Sequence, residues 1–152
     1  MHTVGTSDTS RSLGPEEAAD RTFTAHGQDS AWLDAFTERL DRLRGGASFA
    51  RTIEVWGLSQ AEAARLFGVS RQAAAKWMRQ GAPPERASAM ADLSAATDLL
   101  VRHLKRDRIP AVVRRPIPAL GGESLVVLWG RGETRTVLTA CRDMFRFDRA
   151  HT

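Results

Sequence analysis

An all-α chain is predicted by three features of the sequence. Apolar residues recur at helical spacing over most of its length, a serine heads several of the periodic segments, and two short periodic segments between Leu58 and Ala82 are parted by one glycine. The stretch LSQAEAARLFGVSRQAAAKWMRQGA has the spacing of a helix-turn-helix. Ser59 caps its first helix, with Glu62 three positions on, and Ala63, Ala64, Leu66 and Phe67 form the inner face. Gly68 turns the chain. Ser70 caps a second helix whose Ala73, Ala74, Trp77 and Met78 point inward, and the small alanines let the two backbones approach closely.

Residues 1 to 29 are rich in Thr, Ser, Gly, Asp and Glu with almost no apolar periodicity, so they are expected to be flexible or only locally ordered. Ser30 is expected to cap a helix on which Trp32, Phe36, Leu40 and Leu43 form one stripe ending at Gly45-Gly46. That stripe is expected in the core, with a dimer contact as the alternative. Ser48 to Trp56 reads as a separate bracing helix with Phe49, Ile53 and Trp56 on one side. Pro83-Pro84 stops the helix-turn-helix and opens a long helix from about Glu85 to about Arg106, with Met90, Leu93, Thr97, Leu100, Val101 and Leu104 inward. Ile109 to Pro118 reads as a short helical turn and extended chain, and Leu120-Gly121-Gly122 as a turn. Ser124 to Trp129 is a buried strand or a short helix on periodicity alone. Thr134 to Phe145 is an amphipathic helix.

The charge is unevenly spread. The chain of 152 residues carries 22 Lys and Arg against 18 Asp and Glu, net +4, which suits a polyanionic partner. Residues 51 to 86 hold six cations and three anions, residues 102 to 115 six and one, while the first thirty are net −3. The second helix of the motif directs Ser70, Arg71, Gln72, Lys76 and Arg79 outward, and no acid lies between Ser70 and Gly81. Arg71, Gln72 and Lys76 suit base edges in a major groove, Ser59, Gln60, Ser70 and Arg79 suit phosphates, and a homodimer on two half-sites of double-stranded DNA is the economical arrangement.

Other chemistries lack support. The four histidines are scattered without ligand spacing, so no metal site or cofactor is expected. No paired carboxylates, Ser/His/Asp set, phosphate loop or Cys/His pair stands at a usable spacing, so an enzyme is not expected. Cys141 is alone, on a helical stripe with Val137, Leu138 and Phe145, and reads as a packed small hydrophobe. With neither a long apolar run nor a signal-peptide pattern, the chain is expected in the cytoplasm and not in a membrane.

The helix-turn-helix, the long following helix and the segment RIPAVVRRPIPALGGESLVVLWGRGETRTVLTACRDMF together resemble the Xre/MbcA/ParS antitoxins of type II toxin–antitoxin systems, over roughly residues 48 to 147. Val112-Val113 stands where that family often has Trp-Leu, and Ser124-Leu125 where it has a proline after the Gly-Gly turn. The resemblance implies an Xre-like helix-turn-helix bundle, residues 30 to 106 with the motif at 59 to 80, then a small helical toxin-binding domain at 107 to 152. It settles Ser124 to Gly130 as a helix. It also implies a cognate toxin of the RES type, which degrades NAD, as partner, with operator binding to autoregulate transcription. Arg135, Arg142, Phe145, Arg146, Phe147 and Arg149, on the final helix and tail, are the toxin-binding candidates. The alternative is a stand-alone transcription regulator whose C-terminal half dimerises or senses a ligand.

Overall fold

The computed structural model describes residues 12–146; Phe147 and Arg149 lie outside the described residues. Eight α-helices and three short 3-10 turns make up the described fold, with no strand beyond one isolated bridge between Ile117 and Glu123. The chain divides into two compact units, Met1–Glu38 and Arg39–Thr152.

The first unit corrects the expectation for residues 1 to 29, because Pro15–His26 forms a helix, α1. Its signals are local rather than periodic: Pro15 opens it, Glu16 and Glu17 sit at the positive end of the helix dipole and His26 at the negative end. No residue of α1 is buried, and Phe23 is 67% exposed. The next helix, α2, spans Ser30–Trp56. Its cap is Asp29 rather than Ser30, since the Asp29 carboxylate accepts from the Trp32 amide at 3.0 Å. The His26 ring stacks on Trp32, centroids 3.5 Å apart, and Trp32 stacks on Phe36 at 5.1 Å.

Two expectations about α2 fail for related reasons. The helix does not stop at Gly45-Gly46 but runs unbroken for 27 residues. A Cβ at Gly46 would come within 2.8 Å of the Trp77 carbonyl oxygen and 2.9 Å of that of Met78, so this glycine marks a backbone crossing instead of a helix end. The helical glycine costs about 1 kcal/mol relative to alanine, which the contact it permits offsets. The stripe ahead of it is not core. Phe36, Leu40 and Leu43 are 38%, 47% and 41% exposed, and burial along α2 begins only at Gly46, followed by Phe49, Thr52, Ile53, Val55 and Trp56.

In the second unit, α3 (Gln60–Phe67) and α4 (Arg71–Gln80) are followed by a 3-10 turn at Pro84–Arg86 and by α5 (Ala87–His103). Then come a turn at Arg106–Arg108, α6 (Ile109–Arg114), a turn at Pro118–Leu120, α7 (Leu125–Gly130) and α8 (Thr134–Arg146). The long helix is shorter than expected because Leu104 is extended, at φ −122° and ψ 151°. The apolar run Leu125–Gly130 is a helix, capped by Ser124, whose hydroxyl accepts from the Val127 amide at 3.2 Å.

One apolar core runs from Phe49 to Phe145. At its centre Trp56 meets Trp129 edge to face at 5.3 Å, Trp129 meets Phe67 at 5.3 Å, and Phe67 meets Trp77 at 5.7 Å. Helices on both sides of residue 106 therefore share one interior, and the boundary expected there does not divide the core. Helices α5 and α8 lie side by side and run parallel, since Asp92 accepts from the Thr134 hydroxyl near their starts and His103 stacks on Phe145 at their ends. Cys141 is fully buried between such elements, and burial pushes its thiol up to about 12, so it stays protonated and inert in the folded chain.

Candidate functional site

The helix-turn-helix forms as local chemistry dictates. Ser59 and Ser70 both have extended backbones, and their hydroxyls accept from the amides of Glu62 and Ala73, each at 3.1 Å. Between them Gly68 takes φ +66°, while the Gly68 amide donates to the Arg65 carbonyl and the Val69 amide to that of Ala64. This is a Schellman motif, and it ends α3 so that α4 begins three residues later. Ala63, Ala64 and Ala74, at most 2% exposed, make the close crossing.

Burial of Ala74 and Trp77 fixes which face of α4 points outward. Arg71, Gln72, Lys76 and Arg79 are exposed on the remaining faces, as expected. Among the described residues none of Arg71, Lys76 and Arg79 has a carboxylate within ion-pair distance, whereas Arg51 pairs with Asp98 at 2.6 Å, Arg114 with Glu62 at 2.9 Å and Arg131 with Glu123 at 2.7 Å. The one acid within the motif is thus already paired: the Arg114 guanidinium, hydrogen-bonded to Glu62, holds that carboxyl below the usual carboxylate range. Arg65, exposed on α3 and with no ion pair among the described residues, adds a further cation that sequence reading passed over. Its position one turn ahead of Gly68 was the available signal.

Three expected positions have second tasks. Ser59 and Ser70 spend an acceptor on their own helices, yet a hydroxyl hydrogen and the adjoining amides remain for a phosphate. Gln60 places its amide nitrogen 3.7 Å from the Met78 sulfur, tying α3 to α4. Arg86, counted within the basic stretch, is not a free cation: its guanidinium lies 5.7 Å from the Phe67 ring and 5.6 Å from that of Trp77, bracing α4 from inside.

The C-terminal candidates separate. Arg135 sits at the start of α8, 3.5 Å from the buried Asp92. Arg142 and Arg146 lie at the other end, on the rim of an open cavity of about 420 Å³ lined by Leu99, His103, Thr139, Arg142, Asp143, Phe145 and Arg146. Phe145 is 7% exposed, with its ring on His103 at 4.4 Å, so it forms the wall and cannot serve as a projecting contact. Leu99 and His103 come from α5, some forty residues upstream, and only the parallel packing of α5 and α8 brings them here. Arg146 is partly neutralised by Asp143 at 3.6 Å, while Arg142 has no ion pair among the described residues. The two helix C-termini that meet at this cavity carry partial negative charge, which Arg102 and Arg146 in their last turns offset.

Among the described residues no His, Cys, Asp and Glu group could hold a metal ion, and no helix is long and apolar enough to cross a membrane. No family model and no curated protein matches the chain. Among solved structures, a chain in the crystal structure of the M. tuberculosis MbcT–MbcA toxin–antitoxin complex is similar, with a TM-score of 0.54 and 24% identity over 65% of this chain and 91% of that chain. The likeness is one of fold.

Proposed function

We propose that the chain is an antitoxin that binds operator DNA through α4 and a cognate toxin through the cationic end of α8. The carrying observation is the pairing state of the cations on α4: exposed, held in register by the buried Ala74 and Trp77, and without carboxylate partners among the described residues. A helix built this way has groups for a polyanion and none to repel it. Arg71, Gln72 and Lys76 read base edges; Ser59, Gln60, Ser70 and Arg79 hold phosphates and fix the register. A single module of this size reads few base pairs, so two copies on two half-sites make the operator complex.

The toxin reading draws on the MbcT–MbcA complex as a fold neighbour and on the resemblance of the segment after Ile109. Arg142 and Arg146 at the cavity rim, with Phe147 and Arg149 beyond the described residues, supply the contact, and the partner is a RES-type toxin acting on NAD. Binding of both ligands by one chain would let the cell repress transcription of the pair and hold the toxin inactive.

Two substitutions distinguish base reading from phosphate holding. With Arg71→Ala, specificity should relax at one base position by about 1 to 3 kcal/mol, the value of a bidentate base contact. With Arg79→Ala, affinity should fall for all sequences alike and the salt slope should drop by about one. Fluorescence anisotropy on operator variants at several salt concentrations reads both. Unchanged affinity in both variants would remove α4 as the reader.

A further inference from the structure

We propose that Arg114 of α6, a residue outside the helix-turn-helix, fits that motif for DNA by cancelling the one carboxylate at the start of α3. The inference rests on the reading of α4 as a DNA reader and adds a positioning residue to it. Between Ser59 and Gln80 the motif carries Arg65, Arg71, Lys76 and Arg79, and Glu62 is its single acid. Glu62 stands at the third position of α3, where its amide donates to the Ser59 hydroxyl at 3.1 Å. The hydrogen bond from Arg114 above all, and the Ser59 amide in addition, hold its carboxyl below the usual range, so the carboxylate lies back over the first turn of the helix. That is the turn whose Ser59 and Gln60 are assigned to a phosphate. An unpaired carboxylate there would repel the phosphate and compete with it for the same amides.

The fold brings Arg114 to this spot, 52 residues from Glu62 in sequence, by docking α6 on the corner between α2 and α3. Ile109 and Val113, both fully buried, fix which face of α6 points inward. Pro110 and Arg114, one helical turn apart, both meet Gly57: this glycine is left-handed at φ +67°, and a Cβ on it would come within 2.9 Å of the Pro110 ring. From there the Arg114 Nη2 donates to the Glu62 Oε2 at 2.9 Å and lies 3.4 Å from the Gly57 carbonyl oxygen. The two side chains are 45% and 31% exposed, so their charges act on a phosphate that approaches from solvent.

Fluorescence anisotropy of the full chain on a labelled duplex of mixed sequence tests this, since phosphate contacts act whatever the bases. At low salt Arg114→Ala should weaken binding about fivefold or more, and the deficit should shrink as salt is raised, because repulsion at the surface is screened. Glu62→Gln, which keeps the capping geometry without the charge, should bind at least as tightly as the wild type. Added to Arg114→Ala, it should recover most of the loss. Arg114→Lys, which retains the charge, should lose less than the alanine variant. If the wild type binds the duplex and Arg114→Ala binds equally well, the inference falls and the reading of α4 stands; a wild type that binds no duplex sinks both. A double variant no tighter than Arg114→Ala, or a deficit that salt leaves unchanged, would also overturn the inference, because Arg114 would then not act through Glu62.

Discussion

Replacing Gly81 with alanine should cost more than about 3 kcal/mol, a large share of a domain's margin of about 5 to 15 kcal/mol. Gly81 ends α4 at φ +86° and ψ 156°, a conformation that L side chains rarely adopt. A Cβ there would be driven into the backbone carbonyl of Arg42 on α2, and a backbone oxygen in mid-helix cannot swing aside. Strain and clash therefore add. Gly68 is the control: it too is left-handed, at φ +66° and ψ 33°, but open space surrounds its missing side chain. Gly68→Ala should cost only about 1 to 2 kcal/mol. In thermal unfolding the first variant should fall by about 10 °C or more and the second by a few degrees. Equal shifts would mean that α2 and α4 do not cross as tightly as described.

The second large effect concerns two tryptophans that look alike by burial and differ by one hydrogen bond. Trp56 is 0% exposed and Trp129 1%. The Trp56 indole N–H donates to the Thr97 hydroxyl at 3.0 Å, and that hydroxyl lies 2.7 Å from the Leu93 carbonyl it can donate to. The Trp129 indole N–H is buried with no acceptor among the described residues. Either residue changed to alanine should cost about 3 to 5 kcal/mol, through lost transfer energy and the cavity left behind. Changed to phenylalanine, they should part company. Trp56→Phe loses packing and a satisfied bond, whereas Trp129→Phe loses packing but also removes a buried donor whose desolvation costs about 1 to 3 kcal/mol. Urea denaturation should find Trp56→Phe less stable than Trp129→Phe by at least about 1 kcal/mol. The reverse order would show that the Trp129 indole is satisfied and that the network around Thr97 contributes little.

What could be read from sequence was what local chemistry decides. Ser59, Gly68 and Ser70 announce the helix-turn-helix because caps and a left-handed turn require those residue types wherever the chain goes. The same local logic misread Gly45-Gly46, where glycine serves an approach by the end of α4, residues 77 to 81, far along the chain. Periodicity showed that Phe36, Leu40 and Leu43 share a face of α2, but it cannot say what covers a face, and these three remain open. The signals for α1 were present in Pro15, Glu16 and Glu17; the lack of an apolar stripe hid them, since none of its residues is buried. On α4 the outward residues followed directly from the inward ones. At the end of α8, Phe145 went inward and Arg142 outward, and the Leu99 and His103 walls of the cavity were invisible because α5 supplies them.

Two surfaces that fail independently form the central claim, and one crossed measurement tests it most directly. The chain would be expressed together with the genes that flank its own as wild type, as Arg71→Ala with Lys76→Ala, and as Arg142→Glu, with DNA affinity and capture of a coexpressed protein read on each sample. All substituted residues are exposed, so each variant should fold. The account predicts that the α4 variant loses operator affinity by tenfold or more, about 1.4 kcal/mol, while still capturing the toxin. Arg142→Glu should do the opposite. If both variants lost both activities together, or if the wild type bound neither DNA nor a coexpressed partner, the account would be contradicted.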